Sequence, residues 1–415
     1  MEKNFSSIFK GDKILWYSII ILAVLSIVAV YSATGALAYQ SHDGNTYYFL
    51  IRHTSFVAVG IITILLVQFI PYSFYFKIAP YFYVGVLLML VVTMFVGVNK
   101  NGATRWLEIP VIHLQFQPSD FAKLAMIIVT AKILSVNQDD PVKLKQSIRQ
   151  IVVMTGLMSF MILPSDLSTA VLLVLIVVVI LYIGRVQLKV LFAMLGIAIV
   201  ILATFFIILE NSEDKGRLGT WKARYESFIH PEEEGNDNTQ INQAKVAIVT
   251  GGLIGKGPGN SIQRNVLPQS YSDFIYAFII EEYGILGAIL VLMLYLWILY
   301  RGIHIVKKAK KAFPILLALG LIFSMAIQAF MNMAVAVGLV PVTGQTLPFL
   351  SMGGTSIVMT GVLFGIILNI SRETLREENE GKMPDDMTDN TEMFNVQNLA
   401  TESQNNSNPT NNVVE

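Results

Sequence analysis

Ten apolar runs, each near the roughly 20 residues a helix needs to cross a hydrocarbon core, dominate this 415-residue chain. They fall near residues 14–36, 53–71, 75–98, 118–136, 148–164, 167–185, 188–209, 273–300, 314–341 and 352–370. Runs of that length and number define an all-α, polytopic integral membrane protein and exclude a soluble enzyme. Charge agrees: 14% of residues are Asp, Glu, Lys or Arg, against about 25% in soluble domains. The fifth and sixth runs are separated only by Leu163-Pro-Ser-Asp166. Proline removes a backbone donor and a carboxylate is costly at mid-membrane, so a surface turn is expected there.

The formal net charge of zero conceals two parts. From Arg372 onward there are 3 basic and 10 acidic residues, leaving 26 basic and 19 acidic upstream. With the N-terminus in the cytoplasm, 18 of the 29 Lys and Arg lie on the inner side. Seven of the other 11 sit in one long external loop, which the positive-inside rule discounts. The expected organisation is a cytoplasmic segment 1–13, a transmembrane domain 14–371 and a disordered acidic cytoplasmic tail 372–415. The first run lacks a small-residue cleavage site and should stay as a signal anchor.

Two external loops are expected. One covers about 99–117; the other joins the seventh and eighth runs over about 210–272, long enough to predict a functional loop with structure of its own. Within it, 221–228 reads as a short amphipathic helix on the outer leaflet. Zero cysteine removes disulfides, thiolate metal sites and a Cys nucleophile, and five histidines without ligand spacing give no metal site. No nucleic-acid partner is expected.

The chemistry-bearing stretches cluster. Gly251-Gly-Leu-Ile-Gly-Lys-Gly-Pro-Gly259 has the turn-forming freedom of an anion-cradling loop, but it matches neither a P-loop nor a dinucleotide fingerprint. The alternative reading is a flexible loop re-entering a helix. Asp273 opens the eighth run and fits two roles, a helix N-cap or a proton acceptor at the mouth of a cavity. Glu281 and Glu282 lie two turns deeper, where a carboxylate needs a function or a basic partner on another helix. Asp120 and Lys123 share a face of the fourth run and offer that partner; Asp120 also fits a first-turn residue favoured by the helix dipole. Arg105-Trp106 suits phosphate or sugar contact, or an interface anchor. Pro341-Val-Thr-Gly344 and the segment to Gly354 break the last apolar region. Non-helical backbone at that depth is tolerated only against protein or a polar cavity.

In order, these stretches resemble the SEDS family of polytopic bacterial proteins, FtsW, RodA and SpoVE. The resemblance rests on Asn101-Gly-Ala-Thr-Arg-Trp-Leu107, Gln117-Pro-Ser-Asp-Phe-Ala-Lys-Leu124, Asp166-Leu-Ser-Thr-Ala170 and Gly251-Gly-Leu-Ile-Gly-Lys-Gly257. It continues through Leu267-Pro268, Ser272-Asp-Phe-Ile-Tyr276, Glu281-Glu-Tyr-Gly284, Gly338-Leu-Val-Pro-Val-Thr-Gly344 and Leu347-Pro-Phe-Leu-Ser-Met-Gly-Gly-Thr-Ser356. Three departures stand out: Asp120 replaces the usual Glu, Pro164-Ser-Asp166 replaces Gln-Pro-Asp, and Tyr271-Ser-Asp273 replaces His-Thr-Asp. Gly259-Asn-Ser-Ile-Gln263 is more similar to the division branch, FtsW, than to RodA.

The resemblance implies a peptidoglycan glycosyltransferase that polymerises lipid II at the outer face of the cytoplasmic membrane, for septal wall synthesis. It implies Asp273 as the essential carboxylate and Asp120 with Lys123 as the family's acid–lysine pair. Arg105, Lys123, Lys256 and Arg264 are the expected cations for the pyrophosphate leaving group, with a divalent cation (Mg or Mn) as a further candidate. A class B penicillin-binding protein transpeptidase and other division-complex proteins are the implied partners. The rival readings are a flippase for lipid-linked precursor, since broken helices and buried charges also mark transporters, and a RodA-type elongation polymerase.

Overall fold

The computed structural model describes residues 10–35, 37–38, 45–100, 103–109, 114–138, 140–210, 219, 222, 238–265 and 271–380. Ten of its long helices coincide with the ten apolar runs. These are α1 (Lys13–Ala33), α2 (Thr46–Val67), α3 (Tyr72–Val96), α4 (Pro118–Asn137), α5 (Pro141–Ile162), α6 (Leu167–Ile183) and α7 (Leu188–Glu210). After α8 (Asn238–Gly251) come α9 (Ile275–Val306), α10 (Ala312–Ala336) and α11 (Gly354–Glu380). Among the described residues seven of these, α1, α2, α3, α7, α9, α10 and α11, are long and apolar enough to cross a membrane. The α4 helix carries Asp120, Lys123 and Lys132, α5 opens on Lys143, Lys145 and Arg149, and α6 has 17 residues. The chain is a multi-pass membrane protein. Residues such as Phe95 and Tyr81, 84% and 80% exposed on α3, fit a lipid-facing surface and would be a liability in water.

Short polar side chains start the helices where the sequence supplies them. Asp12 accepts from Leu15 N at 2.8 Å, Asn45 caps α2, Asp140 caps α5 and Asp166 caps α6. The turn expected at Leu163-Pro-Ser-Asp166 is the α5–α6 connection. Pro118 opens α4 at its first position, with Asp120 in the first turn. In the bundle α10 is central, packed on α4, α6 and α9, while α11 lies along α2 and α3 along α4. The α7 helix is mostly exposed.

Two features differ from the sequence reading, the small sheet and the length of the last helix, and a third gives the structure expected in the long loop its form. The 99–117 loop contains a small antiparallel sheet, β1 (Val98–Lys100), β2 (Ala103–Ile109) and β3 (Leu114–Phe116), in the order β1-β2-β3. The long loop holds α8, which packs on α9. The last helix continues to Glu380, so the first nine residues of the expected acidic tail are helical. Lys308 Nζ reaches Glu378 at 3.1 Å and Lys311 Nζ reaches Glu377 at 3.0 Å, so the α9–α10 turn gives this extension partners. The amphipathic helix at 221–228, Leu267-Pro268 and the tail beyond residue 380 lie outside the described residues, apart from isolated Lys222.

Candidate active site

At Gly284 the α9 backbone leaves helical geometry (φ 68°, ψ −166°), which strips the preceding turn of its normal hydrogen-bond partners. The glycine-rich loop replaces them. Lys256 N donates to Glu281 O and Gly257 N to Glu282 O, both at 2.9 Å, while Ile285 N donates back to Gly252 O at 3.0 Å. Backbone meets backbone, so Gly255 and Gly284, both at positive φ, have no room for a Cβ. Re-entry against the helix is realised.

The loop also receives an anion, and that anion is Glu281. Its fully buried carboxylate accepts from Lys256 Nζ at 2.6 Å, Ile262 N at 3.1 Å, Gln263 N at 3.3 Å and the Ser261 hydroxyl. The expected partnership of Glu281 or Glu282 with Lys123 therefore gives way to one of Glu281 with Lys256, while Lys123 pairs with Asp120. Glu282 accepts from Ser32 Oγ at 2.6 Å and Gly259 N at 2.9 Å, tying α1 to the break. Arg264 packs over Gly35, and its charge acts on Glu282.

Asp273 lies in the turn before α9. The N-cap position of that helix falls on Phe274, one residue after Asp273, and its side chain makes no cap hydrogen bond. Ser272 Oγ donates to Asp273 Oδ1 at 2.6 Å. The adjacent Tyr271 phenol is pushed above its ordinary range by burial, with the Asp273 charge adding to the effect and Arg52 opposing it. Arg52, near the start of α2, is thus a basic group whose charge reaches the phenol beside Asp273. The Asp273 carbonyl accepts from Asn332 Nδ2 at 2.8 Å.

Asp120 and Lys123 form the ion pair their spacing predicts, 2.9 Å between Nζ and Oδ1, and Lys123 Nζ also donates to Gln328 Oε1 at 2.9 Å. A void of about 30 Å³ beside them is bordered by Ser356 and Thr360. Arg105 is committed elsewhere: its Nε donates to Ser165 O at 2.6 Å and its Nη1 lies 3.5 Å from Asp166. Thr104, Arg105, Gln117 and Ser119 line a cleft of about 110 Å³ against the α5–α6 turn.

The non-helical segment between α10 and α11 passes through the same region. Side chains of neighbouring helices satisfy its carbonyls: Gln328 donates to Thr346 O, Asn332 to Gln345 O, Tyr295 to Pro348 O and Ser26 to Leu350 O. Sequence reasoning singled out the broken segment but none of these donors, nor Arg52. Gln328 and Asn332 left a readable trace, since two amides four residues apart in an apolar helix share one face.

Three comparisons bear on identity. A family model described as "Cell cycle protein", for FtsW, RodA and SpoVE, matches residues 12–376. The chain is 30% identical over 381 residues to a probable peptidoglycan glycosyltransferase FtsW of Geobacter metallireducens, covering 89% of this chain and 96% of the relative. It is 31% identical over 371 residues to the stage V sporulation protein E of Bacillus subtilis, covering 87% and 97%. Its fold matches a chain from a peptidoglycan synthase complex studied for the coordination of polymerization and crosslinking. That match has a TM-score of 0.70 at 24% identity and covers 88% of this chain and 98% of that one. With a model spanning nearly the whole bundle and relatives matched almost end to end, this chain belongs to the FtsW, RodA and SpoVE family of cell cycle proteins.

Proposed function

We propose that this chain is a peptidoglycan glycosyltransferase that polymerises lipid II, an undecaprenyl-pyrophosphate-linked disaccharide-pentapeptide, at the outer face of the cytoplasmic membrane. The observation that carries this reading is Asp273: a carboxylate at the head of α9, beside a buried tyrosine that the charges of Asp273 and Arg52 both reach, within a family whose relatives are named for this activity. The sheet end of the bundle then faces outward and both termini lie in the cytoplasm. The catalytic unit is 14–371, and the acidic tail is a cytoplasmic appendage.

In this reading Asp273 takes the proton from the acceptor's GlcNAc 4-hydroxyl as that oxygen attacks the donor's anomeric carbon. The bond from that carbon to the pyrophosphate oxygen breaks, the anomeric centre inverts and undecaprenyl pyrophosphate departs. Stabilising the departing charge needs cations. Lys256, Arg105 and Lys123 are held by Glu281, Asp166 and Asp120, and Arg264 faces Glu282, so each of these cations stands beside a carboxylate; Arg52, whose charge reaches Tyr271, is a further candidate. Among the described residues no three His, Asp or Glu side chains gather to hold a divalent cation, and no step here runs through one.

The division role follows from the Gly259–Gln263 stretch and from relatives named FtsW. A class B penicillin-binding protein and other division-complex proteins are the proposed partners, supported by the fold match to a chain of a peptidoglycan synthase complex. The test is purified protein in vesicles with lipid II, scoring glycan strands and lipid translocation separately. Asp273→Asn should abolish strand formation without loss of folded protein; strands made at the normal rate would overturn the assignment, and translocation without polymerisation by the unmodified chain would identify a flippase.

A further inference from the structure

Asn332 and Asn369 are both 1% exposed, both sit on spanning helices, and both give an amide hydrogen to a backbone carbonyl. They differ in what they hold. Asn369 Nδ2 donates to Gln68 O at 2.9 Å, at the end of the bundle remote from Asp273. Asn332 Nδ2 donates to Asp273 O at 2.8 Å and to Gln345 O at 2.7 Å. Both acceptors are carbonyls, which only accept, so the amide must turn its NH2 toward them and its two hydrogens are matched one to each.

That matching clamps two irregular segments together. The turn carrying Asp273 and the broken segment carrying Gln345 have no ladder in common with a helix, and one side chain of α10 fixes both. The clamp continues on either side. Gln345 Nε2 donates to Thr169 Oγ1 at 2.9 Å, Thr169 N donates to Asp166 Oδ1 at 3.0 Å, and Asp166 meets Arg105. One turn earlier on α10, Gln328 accepts from Lys123 and donates to Thr346 O at 3.0 Å. The same helix face therefore sets Asp273 and Lys123, through adjacent residues of one segment.

We infer that Asn332 is a positioning residue that fixes the Asp273 backbone, and so aims its carboxylate, relative to Lys123. This rests on the reading of Asp273 as the proton acceptor. Asn332 touches neither substrate nor the reacting atoms; it acts through Asp273, where a displacement near 1 Å costs up to about a hundredfold in rate.

The experiment measures kcat, KM for lipid II and thermal unfolding of the full chain in vesicles, for Asn332→Leu, Asn332→Ser, Asn369→Leu and Asp273→Asn. Leucine fills the volume and donates nothing; serine restores one donor. Asn332→Leu should lower kcat about ten- to a hundredfold with KM within about twofold, and Asn332→Ser should recover part of that loss. Asn369→Leu should lose comparable thermal stability with kcat unchanged. Equal kcat losses in Asn332→Leu and Asn369→Leu, or a normal kcat in Asn332→Leu, would overturn the inference. If Asn332→Leu does not fold, Asn332→Ser against Asn369→Leu decides in the same way. Should Asp273→Asn polymerise normally, the reading of Asp273 fails instead, so the two failures are distinct.

Discussion

Gly284 of α9 and Gly255 of the re-entrant loop are reciprocal: a Cβ on either would come 2.6 Å from the backbone nitrogen of the other. Both have positive φ, 68° and 87°, and the loop supplies the hydrogen bonds the helix loses at the break. The close approach is therefore a condition of the fold at this point.

Substituting either residue tests that condition. Gly284→Ala and Gly255→Ala should each cost backbone strain of about 1–3 kcal/mol, plus the collision. Gly252, also at positive φ (55°) but with open space around its Cβ position, should lose only the strain when changed to Ala. Thermal unfolding in detergent should rank Gly252→Ala well above the other two. Equal stabilities would show that the backbone contact is not tight.

The Lys256–Glu281 pair makes a second prediction, in which one removal is worse than two. Lys256→Met leaves a fully buried carboxylate with only Ser261 and two backbone donors, and removing one partner of a buried pair costs about 3–5 kcal/mol. Adding Glu281→Gln removes the stranded charge and should return much of that loss. A double-mutant cycle on unfolding free energies checks this, and additive losses would mean that Glu281 is not held by Lys256.

What the sequence made legible follows from range. The apolar runs, the turn at Asp166 and the Asp120–Lys123 pair depend on residues within a few positions of one another, and each was readable. The partner of Glu281 was not, because it depends on a left-handed backbone at Gly284 that draws in a loop 25 residues upstream. The small sheet escaped because its edge strands have three residues each, and α8 because its Asn, Thr, Gln and Lys content hides one buried face of Ala244 and Ala247. Asn332 lay in an otherwise readable helix, and what concealed its partners was that they are carbonyls of irregular chain, 59 residues before it and 13 after it.

At the opposite end of the bundle, Asp12 links the start of α1 to the last turns of α9: Arg301 Nη2 lies 2.5 Å from Oδ2 and Nε donates to Oδ1 at 2.9 Å. Burial pushes the Asp12 carboxyl up, but the Arg301 hydrogen bonds and charge, with the Leu15 N–H, outweigh it and hold the group below its ordinary value. A carboxylate depressed in the folded state contributes stability above its unfolded pKa, near 3.9, and loses it as pH falls through the folded value. Arg301→Gln should therefore be less stable than the parent by about 1.5–3 kcal/mol at pH 7, the range of hydrogen bonds to a charged group. Below about pH 4 the two should converge as Asp12 protonates in both. Unfolding midpoints across that range read the effect; a gap that stays constant from neutral to acid pH would show that Asp12 is not the titrating partner.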